Sequence, residues 1–186
     1  MKKIPLLSLA ALAATLLLAG IALAAPASGQ VEISLTFQRL TGFATNQFAV
    51  WIEDEAGDYV RTVFATRYTA DGGWKPRPLS LALWVEKSAL PEMPLNTVDA
   101  FSGATPRPGE QTYVWDCKDD AGRTVPVGEY VVCIEGTLRN EDVVIYTAKV
   151  EIGGPTKEAE VKTEYFGKET DDRRMLGDVK IKYVAP

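Results

Sequence analysis

Histidine is absent from this chain of 186 residues. Its absence excludes Ser-His-Asp and Cys-His catalysis, haem ligated by histidine, and nearly every catalytic zinc site, because each of these uses an imidazole. The two cysteines are not spaced as Cys-x-x-Cys, so the usual dithiol redox motif is also excluded. No other pair of nucleophile and base stands out. We therefore expect a protein that is not an enzyme by itself.

Blocks of positive charge are also lacking. The full sequence has 20 Lys and Arg residues against 25 Asp and Glu, a net charge of −5. Loss of Lys2 and Lys3 with an N-terminal export signal leaves two fewer basic residues, 18 against the same 25 acidic ones, and a net charge of −7. A surface this negative repels nucleic acid and anionic lipid, so we expect neither as a partner.

The N-terminal segment has the features of an export signal. Lys2 and Lys3 precede an uncharged apolar stretch, residues 5–24, that ends in the small-x-small sequence Ala22-Leu23-Ala24. No cysteine follows this stretch directly, so a lipid anchor is not expected there. The sequence predicts cleavage near Ala24 and a periplasmic location. The expected organisation is a signal peptide (1–24), a short linker (25–30) and one domain (31–186).

Short segments of β type fill the rest of the chain. Residues 31–37 alternate between apolar and polar, which is typical of a half-buried strand. Similar patterns predict strands at 47–54, 59–65, 131–138, 144–152, 160–166 and 179–184, and a further strand ending near residue 116. Residues 79–90 fit a strand, because Leu81, Leu83 and Val85 alternate, and also one side of a helix; the prolines on both sides favour one short helix. Residues 71–78 and 91–108 are predicted loops. About eight short strands separated by turn signals predict an all-β sandwich with one short helix.

The most specific pattern runs from Tyr113 to Tyr130. Tyr113 and Trp115 share one face of a strand, an acidic turn with Gly122 follows, and Val-Pro-Val-Gly leads into the next strand at Tyr130. This pattern resembles the long hairpin in the Ig-like domain of flagellar hook-cap proteins. It resembles more closely a bacterial family of predicted periplasmic proteins, domain of unknown function 2271, in which an SGATP-type segment precedes the hairpin. The resemblance spans about residues 31–153 and implies an antiparallel, Ig-like β-sandwich.

A second motif lies just before that hairpin. Residues 99–105 read Asp-Ala-Phe-Ser-Gly-Ala-Thr, which has the form Asp-x-x-Ser-x-Ala-Thr. It resembles the acceptor motif of exported proteins to which a flavin transferase attaches FMN through a phosphoester on the threonine hydroxyl. The resemblance implies Thr105 as the acceptor, and Asp99, Ser102, Gly103 and Ala104 as recognition residues. Attachment requires an exposed hydroxyl, small neighbours and an extracytosolic location.

Another interpretation of this segment needs no cofactor. Small residues with Pro106 and Pro108 also describe an ordinary loop that crosses one end of a sandwich and starts the next strand. Pro106 directly after the threonine, and an Ig-like fold, both differ from the usual FMN acceptor. Trp74 and Trp84 likewise have two interpretations, stacking on a bound flavin or packing in the core.

Two further groups of residues have both a chemical and a structural interpretation. Cys117 and Cys133 could form a structural disulfide in an oxidising compartment, worth roughly 3 kcal/mol of loop-closure entropy. The strand pattern does not show whether they face each other, and Cys117 stands where the related hairpins usually have Gly. Asp116, Asp119 and Asp120 lack the spacing of a calcium loop, so we predict a turn capped by their side chains and no metal site.

Two functions from different classes remain. The first is an exported Ig-like protein that carries covalent FMN on Thr105 and relays electrons to or from an envelope or inner-membrane protein. The second is a binding or structural module without a cofactor, which presents loops or an edge strand to another envelope protein.

Overall fold

The computed structural model describes residues 29–139, 141–168 and 175–186, so the predicted signal peptide lies outside the described residues. Ten strands and two α-helices occur in these ranges. The strands are β1 (Gln30–Phe37), β2 (Gln47–Asp54), β3 (Tyr59–Thr66), β4 (Ser102–Gly103), β5 (Gly109–Trp115), β6 (Gly128–Arg139), β7 (Asp142–Ile152), β8 (Lys157–Glu158), β9 (Val161–Phe166) and β10 (Leu176–Val184). The helices are α1 (Ala82–Lys87) and α2 (Leu95–Phe101).

The strands form two sheets that face each other. One sheet has four strands in the order β5-β1-β10-β8, and the other has six in the order β4-β3-β2-β6-β7-β9. Every pair of named strands is antiparallel except β3 with β4, which is parallel. The predicted all-β sandwich is confirmed.

The main core lies between the sheets and follows the two-residue period of the strands. In β1, Val31, Ile33, Leu35 and Phe37 are buried, whereas the residues between them are half-buried. These side chains belong to one apolar cluster with residues from β2, β6, β7 and β10. The sequence of β1 therefore alternates because one face of the strand packs on the core and the other face lies nearer to solvent.

A second apolar cluster lies on the outer face of the six-stranded sheet. There Trp51 of β2 and Cys133 of β6 pack against Leu81, Trp84 and Leu90 of the helical segment, residues 69–101. Strand β2 is thus covered on both faces, and all but its last residue are buried. Burial on both faces explains why its sequence, QFAVWIED, is a nearly continuous apolar run rather than an alternation.

Helix α1 is held to the sheet by charged groups at both of its ends. The buried Glu135 carboxylate of β6 accepts hydrogen bonds from the backbone N–H groups of Trp84 (2.8 Å) and Leu83 (3.4 Å) in the first turn of α1. At the other end, Lys87 Nζ lies 3.3 Å from Glu53 Oε2 of β2. Glu135 therefore replaces the N-cap side chain that the helix lacks.

The prediction of a single helix was wrong. Besides α1, the predicted loop at 91–108 contains α2, and a 3-10 turn at Leu90–Glu92 and a π-type turn at Thr69–Gly73 occur nearby. Pro94 directly precedes α2, a position where the missing proline N–H costs no helical hydrogen bond. Val98 and Phe101 then pack into the outer cluster. Tertiary packing, rather than local sequence preference, makes this short helix.

The prediction of a hairpin joining Trp115 to Tyr130 was also wrong. Trp115 ends β5 in the four-stranded sheet, whereas Tyr130 lies in β6 of the six-stranded sheet, so the connection crosses between the sheets. The two rings still meet edge to face, with centroids 5.3 Å apart. Tyr130 Oη also donates a hydrogen bond to the carbonyl of Pro126 at 2.9 Å.

Candidate functional site

The candidate acceptor motif begins at the end of α2. Val98 and Phe101 are buried, and the Phe101 ring meets Trp84 edge to face with centroids 5.9 Å apart. Because these two residues face the sheet, Asp99 and Ala100 are exposed. The anchored helix thus presents the Asp99 carboxylate to solvent.

The middle of the motif is strand β4 at the edge of the six-stranded sheet. Ser102 and Gly103 pair with Ala65 and Thr66 of β3. A Cβ atom at Gly103 would lie 2.6 Å from Cε2 of Phe64, closer than any real contact of this kind. Glycine at this position therefore lets the motif lie directly against the edge of the sandwich.

Thr105 lies in the crossing that follows. Residues 104–108 leave β4 in one sheet and lead to β5 in the other, at one end of the sandwich. Ala104 is exposed and Thr105 is half-buried. Gln111 Nε2 donates hydrogen bonds to the carbonyls of Arg107 (3.0 Å) and Gly109 (3.3 Å), which fixes the far side of the crossing. The threonine hydroxyl is thus held on a short, anchored segment with a small exposed neighbour.

A row of aromatic rings lies beside this crossing. The rings of Phe64 and Tyr113 stack with centroids 4.7 Å apart, and Phe48 lies 5.2 Å from Phe64 and 5.7 Å from Phe37. Burial raises the pKa of the Tyr113 hydroxyl. The row joins β5, β1, β2 and β3, so it holds β5, where the crossing ends, against β3, which pairs with β4 where the crossing begins. Sequence reasoning placed Tyr113 on the same strand face as Trp115 but did not connect it with the motif.

A groove opens at the same end of the sandwich. It has a volume of ≈ 560 Å³ and is lined by residues 42–45, residues 76–80 and Thr137. Phe43 is fully exposed on one side of it, and Leu79 is 45% exposed on the other. Arg77 lies over the ring of Tyr68, 5.3 Å from its centroid. Nothing in the sequence pattern indicated this groove, because its two walls come from separate connections.

Trp74 and Trp84, the two tryptophans considered for stacking on a flavin, differ in how deeply they are buried. Trp84 is fully buried, and its Nε1 donates a hydrogen bond to Thr62 Oγ1 at 3.0 Å. Trp74 packs against the same outer cluster and is half-buried, with Lys75 Nζ 5.5 Å from its ring centroid. Core packing is therefore the role of Trp84, and stacking on a flavin is excluded for it.

The possible disulfide between Cys117 and Cys133 is not present. Both side chains are buried as free thiols. Cys117 belongs to the core between the sheets, whereas Cys133 belongs to the cluster on the opposite face of the six-stranded sheet. The sheet therefore separates the two thiols. Cys117 has a φ of 55°, in the left-handed region that favours glycine, which accounts for the glycine usual at this position in the related hairpins.

The acidic turn after Trp115 is capped as predicted. Asp119 Oδ1 accepts the backbone N–H of Arg123 at 2.9 Å, and the Arg123 side chain lies 2.8 Å from Asp119 Oδ2. The hydrogen bond from the Arg123 backbone lowers the pKa of the Asp119 carboxyl. Asp116 forms ion pairs with Arg61 at 3.3 Å and Lys118 at 2.9 Å. These carboxylates are therefore occupied by the turn and its neighbours.

Comparisons with known proteins place the chain in a family. No helix in the described ranges is long and apolar enough to cross a membrane. No curated protein and no solved structure matches the chain. The family described as "Predicted periplasmic protein (DUF2271)" matches residues 28–169, which covers most of the sequence. This description bears out the predicted periplasmic location. The chain therefore belongs to domain of unknown function 2271, a family of predicted periplasmic proteins.

Proposed function

We propose that this periplasmic protein carries FMN on Thr105 and exchanges electrons with a membrane-bound partner. The observation that supports this most strongly is how the fold presents the motif. Phe101 anchors the helix that precedes it, Gly103 lies against the edge of the sandwich, and Ala104 and Thr105 stand at one end of the molecule. Thr105 is half-buried and its neighbour Ala104 is exposed, so a modifying enzyme can approach this segment from solvent.

Attachment needs a flavin transferase and a donor. The donor is a dinucleotide in which a phosphoanhydride bond joins FMN to a second nucleotide. The bond between Thr105 Oγ and phosphorus forms as the phosphoanhydride bond of the dinucleotide breaks. The second nucleotide leaves as its monophosphate, and the hydroxyl proton passes to a base of the transferase. Gly103 and the exposed Ala104 leave room beside the hydroxyl for that enzyme. No electron is transferred in this step.

The residues around Thr105 suit a phosphoester, which keeps one negative charge. Arg107 follows two positions after the threonine, and its side chain is exposed. Arg67 is also exposed and follows Thr66, which pairs with Gly103 of the motif. Guanidinium groups are well suited to phosphate oxygens. Bound FMN supplies electron transfer in one or two steps, and the chain itself holds and orients the group without a catalytic residue of its own.

A labelling experiment tests this proposal. The exported protein is produced together with an active flavin transferase, and FMN attachment is read by intact mass and by flavin fluorescence in a denaturing gel. The wild type and the matched control Thr112→Ala, an exposed threonine in β5, are expected to gain one FMN. Thr105→Ala is expected to gain none. Labelled Thr105→Ala, or an unlabelled wild type beside a labelled known substrate of the transferase, would contradict the proposal.

A binding module without a cofactor is the second candidate, and β9 favours it. In the described part of the chain β9 pairs only with β7, so its other edge is open. Tyr165 and Phe166 are 38% and 53% exposed. An open edge with aromatic side chains suits the addition of a strand from a partner. If the wild type stays unlabelled, Phe166→Lys should abolish copurification of a defined envelope partner without changing thermal stability; unchanged copurification would exclude this edge.

A further inference from the structure

We infer that the ring system of an FMN held on Thr105 lies in the groove between residues 42–45 and residues 76–80. This inference rests on the proposed attachment to Thr105. It adds the surface that receives the ring and a residue that adjusts its reduction potential.

The tether and the groove lie at the same end of the six-stranded sheet. Gly103 pairs with Thr66, and Thr66 Oγ1 accepts the backbone N–H of Phe48 at 3.2 Å, so β4, β3 and β2 are neighbours at this level. Neighbouring strands lie about 5 Å apart, which places Gly103 roughly 10 Å from Phe48. Thr45, three positions before Phe48, lines the groove. The phosphate, ribityl chain and three fused rings of FMN together span more than the step from β4 to β2, so a ring tethered at Thr105 extends toward the groove wall at Thr45.

The groove has the size and surface that a flat aromatic group requires. Its volume of ≈ 560 Å³ lies within the range of about 300–1,000 Å³ that is usual for small-molecule sites. Phe43 is fully exposed and Leu79 is 45% exposed, and both line the groove together with Ala44 and Pro78. Contiguous exposed apolar side chains generally mark a site that a ligand or partner covers. A flavin ring tethered at the same end of the sandwich would cover these side chains.

Arg77 supplies the charge of this site. Among the described residues that line the groove, it is the only one with a charged side chain. Its guanidinium lies over the Tyr68 ring, 5.3 Å from the centroid, and this contact restricts where the charge can be. A positive charge beside a flavin favours the electron-rich reduced state, so Arg77 should raise the reduction potential of the bound group.

The experiment uses the protein loaded in the periplasm, with loading measured by intact mass. The loaded proteins compared are the wild type, the double variant Phe43→Ser/Leu79→Ser, Arg77→Gln, and the control Val127→Ser. Val127 is 37% exposed and directly precedes β6, at the end of that strand opposite the groove residue Thr137. Visible circular dichroism and fluorescence anisotropy of the flavin report whether the ring is held. A redox titration reports its midpoint potential, and thermal unfolding verifies that each variant folds.

The wild type and Val127→Ser are expected to show visible circular dichroism and high anisotropy. The double variant should lose both at unchanged loading, and Arg77→Gln should have a lower midpoint potential. Spectra unchanged in the double variant would overturn the inference, because the ring then does not depend on Phe43 and Leu79. A wild type that is loaded but has the spectra of free FMN would overturn it as well. Failure of the wild type to be loaded at all would instead refute the attachment to Thr105, and the ring site with it.

Discussion

Glu135→Gln tests the physical basis of the helical cover over the six-stranded sheet. Glu135 is 2% exposed, and its carboxylate accepts N–H groups from the first turn of α1. Burial raises the pKa of Glu135 from 4.5 to about 7, and the hydrogen bonds from Trp84 and Leu83 offset only part of this. Glutamine has nearly the same shape and no charge, so it resembles the protonated side chain at every pH.

The sign of the effect follows from the direction of this shift. The folded protein binds the Glu135 proton more tightly than the unfolded chain, so the stability gained from it is fully present below pH 4.5. It is lost as the pH rises through about 7. The interval between the two pKa values corresponds to roughly 3 kcal/mol. Relative to Glu135→Gln, the wild type should therefore become less stable by about 3 kcal/mol between pH 4.5 and pH 7.5.

The assay is urea unfolding of both proteins across this pH range, compared as the difference in the free energy of unfolding. Glu135→Ala serves as a control, because it leaves the amides of Trp84 and Leu83 without their acceptor and should be less stable than Glu135→Gln at every pH. A difference that does not vary with pH would show that Glu135 has an ordinary pKa. A wild type that gains stability with pH would show that the helix amides outweigh burial, and either result would refute the reasoning.

Three further predictions concern packing. Trp115→Ala removes a side chain that is 1% exposed and should lower the free energy of unfolding by about 3–5 kcal/mol in urea titration; an unchanged value would contradict its place in the core. Gly103→Ala pushes a methyl group into the Phe64 ring, so we expect a loss of about 1–3 kcal/mol and slower FMN attachment, and wild-type behaviour in both assays would show that β4 is not held against Phe64. Burial raises the pKa of the Cys117 thiol to about 11 and raises that of Cys133 as well, so both should react with an aromatic disulfide reagent only after unfolding. Rapid reaction of the folded protein would contradict the burial, and a mass 2 Da lower without reductant, about two hydrogens, would reveal a disulfide after all.

The sequence predicts the bounds of individual strands better than the sheet that each strand joins. The bounds of β2 were predicted as the structure has them, because turn residues flank an apolar run. Whether neighbouring strands pair is decided by non-local contacts: β5 and β6 follow one another in sequence, yet they belong to different sheets. Trp115 and Tyr130 are nevertheless in contact, although their strands belong to different sheets, because both rings face the core between the sheets.

The residues of the candidate acceptor motif are contiguous in sequence, whereas the residues that surround it come from distant parts of the chain. The motif from Asp99 to Thr105 is contiguous, so residue types alone can indicate it. The groove is not contiguous, because one wall comes from the β1–β2 connection and the other from the helical segment. The separation of Cys117 from Cys133 likewise depends on which sheet each strand joins. Only the folded chain shows these relations.

The most direct test of the central claim is the mass of the protein isolated from its native host, followed by mapping of the peptide that contains Thr105. We expect the mature chain with the added mass of one FMN phosphoester, located on Thr105. An unmodified mature mass, in cells whose flavin transferase labels another substrate, would contradict the role in electron transfer.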